Sequence, residues 1–218
     1  MNHPKVLFIT PCAFNHVTGG GITFSNLFRG WPQDRLATAH NDGVPVSHDV
    51  CSRYFFLGPR EIRPMFPFNL RKPRPTNPAR TPIGVGEGPA RREGKMKSAL
   101  KKVYRRLIGD AGIPNRGMLT PELERWIADF RPDVLHTILG SLALIDLVRA
   151  VAERFRLPLV IHLMDDGVTD PMRKGFFAER IRRDYVGKFA ELLPMTRLRM
   201  GICGKMCVEY SKRYGYPF

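Results

Sequence analysis

The stretch KVLFITPCAFNHVTGGGITFSNLFRGW, residues 5–31, decides the fold of this chain. Residues 5–10 form a short apolar run with β-branched and aromatic side chains, which is typical of a strand buried on both faces. The apolar residues at 24, 27, 28 and 31 recur at i, i+3, i+4 and i+7, and they predict a helix with one side against a sheet. Strand, glycine-containing loop and helix in this order indicate the start of a nucleotide-binding α/β domain.

Three consecutive glycines, Gly19, Gly20 and Gly21, separate the predicted strand from the predicted helix. Glycine adopts positive φ without strain and lets backbone N–H groups approach a ligand, and a helix N-terminus favours anions. The spacing fits neither G-x-G-x-x-G nor a P-loop. The pattern predicts a loop that contacts a phosphate or a sugar hydroxyl, and a loose turn without a ligand is the alternative.

Apolar strand-like runs alternate with helical patterns along the rest of the chain. The strands are predicted at 36–40, 53–57, 133–138, 157–163 and 199–203, and the helices at 120–131, 141–155, 172–190 and 205–214. This alternation predicts a Rossmann-like α/β fold, with a parallel sheet and helices on both faces. Ligands of such sheets bind at the carboxyl ends of the strands, so we expect the site in loops 11–21, 41–43, 137–141 and 164–170.

The segment 59–94 interrupts this alternation with eight prolines, several glycines and many arginines. This composition predicts a mobile insertion. Residues 95–108 then predict a basic helix with one apolar side.

The net charge of +15 is concentrated in two blocks. Residues 58–108 contain 14 Lys and Arg against three acids, and residues 171–213 contain 11 against four. Such blocks attract polyanions, anionic lipid headgroups or phosphorylated substrates, and a solvated basic surface is the alternative. Nucleic acid is not favoured as a partner, because aromatic residues for base stacking do not alternate with the basic ones.

Composition also suggests a compartment and argues against a metal site. No apolar stretch approaches the roughly 20 residues that span a bilayer, and no leader pattern opens the chain, so we expect a cytoplasmic protein. The four cysteines are scattered and form no C-x-x-C pair. We therefore expect neither disulfides nor a metal site.

Four phrases in order carry a resemblance to a known family: the strand with Gly19–Gly21, then FRPDVLH at 130–136, LPLVIHLMDD at 157–166, and MCVEY at 206–210 with RYG at 213–215. The chain resembles the amino-terminal, acceptor-side half of a GT-B fold glycosyltransferase of family 4. The likeness covers most of the chain outside residues 58–115. The family's usual His-Asp phrase is replaced here by Met164-Asp165.

The resemblance implies site residues at the cleft between two domains. Gly19, Gly20 and Gly21 would approach the donor diphosphate or the acceptor, and Asn15 and His16 would add polar contacts. We expect Asp165 and Asp166 to bind an acceptor hydroxyl or assist as a general base, with a turn and helix cap as the alternative.

Two further positions are candidates for substrate contact. His136 lies at a strand end, and a hydrogen-bonded core histidine is the alternative reading of it. Ser141 is expected to cap a helix, with its N–H facing the cleft.

The resemblance also implies the domain organisation and partners. Residues 1–213 would form the acceptor-side domain and 214–218 the start of a hinge, with the donor-binding domain absent from this chain. The expected activity is transfer of a hexose from a nucleotide-sugar, without a further cofactor, to a glycan or lipid-linked acceptor in polysaccharide biosynthesis. The fragment alone is expected to be inactive, and the enzyme to be peripheral on the inner membrane face. The alternative is a non-catalytic basic module that binds a polyanion, an anionic membrane or a partner domain.

Overall fold

The structure is a computed structural model that describes residues 3–65, 109, 112–166 and 175–218. In these ranges the strands are β1 (Val6–Thr10), β2 (Leu36–His40), β3 (Arg53–Phe56), β4 (Ile62–Pro64), β5 (Asn115–Gly117), β6 (Val134–Thr137), β7 (Leu159–Leu163) and β8 (Thr196–Gly201). The helices are α1 (Gly19–Leu27), α2 (Pro121–Phe130), α3 (Leu142–Phe155), α4 (Ala178–Leu192) and α5 (Gly204–Tyr214).

Six parallel strands form the main sheet, in the order β3-β2-β1-β6-β7-β8. The predicted Rossmann-like α/β fold is therefore confirmed. The first strand pairs with β2 on one side and β6 on the other, so the strand order reverses between β1 and β6. A crevice forms at such a reversal, outside the carboxyl ends of the strands.

Alternate side chains of β1 pack against different helix layers. Leu7 and Ile9 belong to the larger core, together with side chains of α2, α3 and α4. Val6 and Phe8 belong to a second core under α1. Successive side chains of a strand point to opposite faces, so helices cover both faces of the sheet.

Helix α2 begins as its sequence predicts. The Thr120 side chain accepts a hydrogen bond from the Leu123 N–H at 3.3 Å, and Pro121 occupies the first turn, where its missing N–H is not needed. The Thr120 hydroxyl also donates to buried Glu61 at 2.8 Å. The cap therefore ties the start of α2 to the turn that precedes β4.

Strand β4 lies within the segment predicted as a mobile insertion, where residues 59–65 form a turn and the strand. It pairs antiparallel with β5, and Asn115 of β5 accepts from the Ala143 N–H of α3 at 3.1 Å. The remainder of the predicted insertion, 66–94, and the predicted helix 95–108 lie outside the described residues.

Several predicted boundaries differ from the structure. Helix α1 ends at Leu27, which is 57% exposed, whereas Phe24, Phe28 and Trp31 pack against the core as predicted, the last two beyond the helix end. Helix α4 begins at Ala178 rather than at 172, and residues 172–174 are not described. Beyond α5, Gly215 has φ 73°, and the Phe218 N–H donates to Ser211 at 3.1 Å, so the predicted hinge folds back on α5.

None of the helices in the described residues is long and apolar enough to cross a bilayer.

Candidate ligand-binding edge of the sheet

The crevice at the strand reversal is bounded by the loops that follow β1 and β6. These loops lie close together, because a Cβ placed on Gly140 would be only 3.2 Å from the Pro11 ring. Helix α1 begins at this edge with Gly19. Its first turn therefore lies where Rossmann-like sheets bind their ligands.

Asn15 organises the loop that precedes α1. Its Oδ1 accepts from the N–H groups of Val17 and Thr18, at 2.9 and 2.7 Å, and from the Thr18 hydroxyl at 3.0 Å. Its Nδ2 donates to the Ala13 carbonyl at 2.9 Å. The side chain is 1% exposed and its polar atoms are engaged, so Asn15 shapes the loop, and the expected contact to substrate has no support in the geometry.

Replacing Asn15 by alanine is expected to lower the free energy of unfolding by about 2 kcal/mol, because the loop N–H groups lose their shared acceptor. Urea unfolding followed by circular dichroism measures this change. Asn26→Ala is the matched control, since Asn26 lies on α1 and accepts from the exposed Arg29 side chain. Equal unfolding midpoints for the two variants would contradict the role given to Asn15.

The three glycines are not a loop, which corrects the prediction. They form the first turn of α1, and none of them has positive φ. A Cβ on Gly21 would be 2.1 Å from Asn15 Nδ2, and a Cβ on Gly20 would be 2.8 Å from Cys12 Sγ. Close approach, rather than unusual dihedral angles, therefore requires glycine at positions 20 and 21.

Gly19 differs from its neighbours, because a Cβ there would meet no atom within 4 Å. The Thr18 hydroxyl caps the Gly21 N–H at 3.3 Å. The N–H groups of Gly19 and Gly20 have no acceptor among the residues that the structure describes. Unpaired N–H groups at a helix start can donate to an anionic or hydroxyl oxygen.

His16 connects two loops through hydrogen bonds and does not form a catalytic relay. Its Nε2 lies 3.0 Å from Asp49 Oδ2 and 3.1 Å from Ser47 Oγ. A Ser-His-Asp relay needs the carboxylate on Nδ1 and the hydroxyl on Nε2, whereas here one nitrogen faces both. The hydrogen bonds from His16 and Ser47 lower the pKa of Asp49. His16 thus lies beside the crevice and joins the loop before α1 to the loop after β2.

His136 is a core residue in this structure. Its ring lies between Phe8 at 4.9 Å and Phe24 at 5.6 Å, with His162 at 5.9 Å from ring centre to ring centre. Neither of its ring nitrogens has a hydrogen-bond partner. Burial, and to a smaller extent the neighbouring His162, lower the pKa of His136 to about 3. The parallel register pairs His136 with Phe8 beneath α1. It also differs from most core histidines, because neither of its ring nitrogens is hydrogen-bonded.

Ser141 caps α3, as the sequence predicts. Its hydroxyl accepts from the Leu144 N–H at 3.4 Å. The residue is partly exposed at the carboxyl end of β6. It therefore borders the same crevice as Pro11 and Gly140.

The two aspartates line a small cleft after β7, which is partly open to solvent. The Tyr210 hydroxyl donates to Asp166 Oδ1, and Arg213 Nη1 lies 3.5 Å from Asp166 Oδ2. Burial raises the pKa of Tyr210, so this hydroxyl remains a donor. Helix α5 therefore orients Asp166. Asp165 lines the same cleft, together with Leu139, Leu163, Tyr185, Phe189 and Tyr214.

A histidine–aspartate pair at the end of β2 is not among the site residues expected from the sequence. His40 Nδ1 lies 2.5 Å from Asp42 Oδ1, and the Ala13 N–H donates to Asp42 Oδ2 at 3.1 Å. The available signal was the phrase His-Asn-Asp at a predicted strand end, within a loop expected to carry the site. Nearby Cys12 is not a thiolate nucleophile, because burial and the Asp42 charge raise its pKa to about 11.

Neither metal-ligand geometry in the described residues nor similarity to known proteins identifies a function for this chain. Within residues 3–65, 112–166 and 175–218, no group of three or more His, Cys, Asp or Glu side chains is placed to hold a metal ion. No family model matches the chain, and neither the curated proteins nor the solved structures contain a match.

Proposed function

We propose that this chain is the acceptor-side domain of a glycosyltransferase that moves a hexose from a nucleotide-sugar to a glycan or lipid-linked acceptor. The observation that carries the proposal is the first turn of α1, which follows β1 at the strand reversal and whose Gly19 and Gly20 N–H groups have no acceptor in the described residues. Donors fixed in this way stabilise the charge that develops on a leaving diphosphate.

The spacing of the strands allows one ligand to contact the carboxyl ends of both β1 and β7. One strand, β6, separates β1 from β7. Neighbouring strands are about 4.8 Å apart, so the ends of β1 and β7 lie roughly 10 Å apart. In the proposed complex one sugar ring lies between the start of α1 and Asp166, whose carboxylate Tyr210 and Arg213 hold in place. In this arrangement Asp165 and Asp166 bind an acceptor hydroxyl.

The alternative is a non-catalytic module that binds a polyanion or an anionic membrane, and the net charge of +15 favours it. The described part of the second basic block gives it less support. Arg180 pairs with Asp184 at 3.6 Å, and Lys188 and Arg182 pair with Asp146 and Glu179. Locally paired cations attract a polyanion less strongly than free ones do.

Gly19→Val tests the transferase proposal in the natively expressed protein. We expect transfer from a panel of UDP-, GDP- and dTDP-sugars to fall about 10- to 100-fold, because a side chain at Gly19 blocks two charge-assisted hydrogen bonds. The fold is expected to persist, since a Cβ there meets nothing within 4 Å. The measurement is product formation by mass spectrometry.

Gly204→Val is the matched control, because Gly204 is the first residue of α5 and its Cβ position is equally open. Equal activity of the two variants would remove the role given to α1. Absence of transfer from every donor, combined with salt-sensitive binding to heparin, would favour the binding-module alternative.

A further inference from the structure

A cross-strand pair at the ends of β2 and β3 is not used by the proposed transfer site. His40 and Phe56 lie directly opposite each other in the parallel register, with ring centres 5.9 Å apart. They occupy the carboxyl edge of the sheet, on the β1 side of the strand reversal. This is the edge at which α/β sheets bind ligands.

The exposure of Phe56 is unusual for a large aromatic side chain at a strand end. It is 55% exposed, whereas Tyr54, on the same face of β3, packs against the core under α1. The two rings are nearly perpendicular, with an angle of 81° between them. Phe56 thus offers a ring surface to the solvent, directly beside an imidazole edge.

His40 is held in one orientation by Asp42. With Asp42 Oδ1 2.5 Å away, Nδ1 of the neutral ring carries the proton and donates it, so Nε2 is the acceptor. Within the described residues Nε2 has no hydrogen-bond partner, and it is not among the fully buried unpartnered atoms. His40 is 5% exposed as a whole, so it is the edge of the ring that carries Nε2 that can accept from a hydroxyl at this surface.

The Asp42 carboxylate is itself fixed from the other side. The Ala13 N–H donates to its Oδ2 at 3.1 Å, and Ala13 lies in the loop between β1 and α1. The pair is therefore built onto the same loop that leads to Gly19. A ligand at Phe56 and a ligand at the start of α1 would lie on one continuous edge, two strands apart.

We infer that Phe56 and His40 form a subsite for a neutral sugar ring of the acceptor, an inference that rests on the proposed function. The weakly positive C–H face of a sugar packs on the negative face of an aromatic ring. A ring hydroxyl donates to Nε2 of the neutral His40 ring, whose orientation and tautomer are set by the hydrogen bond between Nδ1 and Asp42. The subsite would hold a residue of a glycan at a distance from the transfer point.

Nuclear magnetic resonance on the labelled full chain tests the subsite without any donor. The probes are the methyl glycosides of glucose, galactose, mannose and N-acetylglucosamine, with uridine monophosphate as the nucleotide probe. We expect at least one glycoside to shift the Phe56 ring and His40 imidazole signals. Phe56→Ala is expected to weaken that binding about tenfold.

Phe176→Ala is the matched control, because Phe176 is also an exposed phenylalanine, 78% accessible, beside α4. It is expected to leave glycoside binding unchanged. Asp42→Asn tests the imidazole separately and is expected to weaken binding while the Phe56 ring stays in place.

Three results would overturn the subsite. They are glycoside shifts confined to Asp166 and Tyr210, shifts at Phe56 with uridine monophosphate alone, and no shift at Phe56 with any probe. The transfer assay on Gly19→Val decides the proposed function independently. In a transferase that works without this subsite, Phe56→Ala would leave both donor hydrolysis and the acceptor KM unchanged.

Discussion

Acidification from pH 7 to pH 5 is expected to lower the free energy of unfolding by about 2 kcal/mol through His136 alone. The ordinary pKa of 6.5 applies in the unfolded chain, and burial lowers it to about 3 in the folded one. The unfolded state therefore binds the proton first. This part of the stability is complete above pH 6.5, and it is lost as the pH falls from 6.5 towards 3.

The surroundings of the ring explain the size of the effect. Phe8, Phe24 and Phe28 line it, and His162 is the titratable group that faces it. Burial also lowers the pKa of His162, so its protonation acts in the same direction. A second positive charge about 6 Å away would have no counter-ion in this cluster.

Urea unfolding of the wild type and of His136→Phe at a series of pH values measures this prediction. The variant is expected to show a flatter dependence on pH, because its ring does not titrate. His3→Gln, at a partly exposed histidine outside the cluster, is expected to keep the wild-type dependence. Parallel curves for wild type and His136→Phe would show that His136 does not destabilise the fold in acid.

Gly117→Ala is expected to destabilise the fold by about 3 kcal/mol. The backbone of β5 lies directly on α3, so the new Cβ would be 2.0 Å from the Ala143 carbonyl oxygen and 2.8 Å from the Leu147 nitrogen. Both are backbone atoms of a helix, which cannot move aside as a flexible side chain can. The strand would have to move away, and the hydrogen bond from the Gly117 N–H to Asp146, now 3.3 Å, would be lost.

Gly187→Ala is the control for this substitution. It lies within α4, and its Cβ position meets nothing within 4 Å. Alanine there is expected to stabilise the protein by about 0.5 to 1 kcal/mol, since glycine has the poorer helix propensity. The two substitutions are expected to shift the urea midpoint in opposite directions. The comparison therefore distinguishes the effect of close packing from that of helix propensity. A Gly117→Ala midpoint equal to the wild type would show that β5 does not pack tightly on α3.

Two groups of side chains, one on each side of the crevice, are brought together only by the fold. Asp165 and Asp166 are candidates from the sequence because they follow a predicted strand and because the family resemblance implies a role for them. The partners Tyr210 and Arg213 come from α5, more than 40 residues later, and only the fold brings them to Asp166. Similarly, His40 faces Phe56 because parallel pairing sets the register of β2 against β3.

Local sequence patterns predict the six strands of the main sheet, most of the described helices and the edge of the sheet expected to carry the site, but not β4 and β5. Apolar runs, the Thr120–Pro121 cap and the alternation of the two periodicities are local signals, and local propensity reports them. The roles of single residues depend on tertiary contacts. Residues 19–21 form a helical turn that the Thr18 hydroxyl caps, and Asn15 holds Thr18 in place. His136 is a core residue because its strand register places it against Phe24 of α1. Close approach and burial depend on chain segments far apart in sequence, so the local pattern does not contain them.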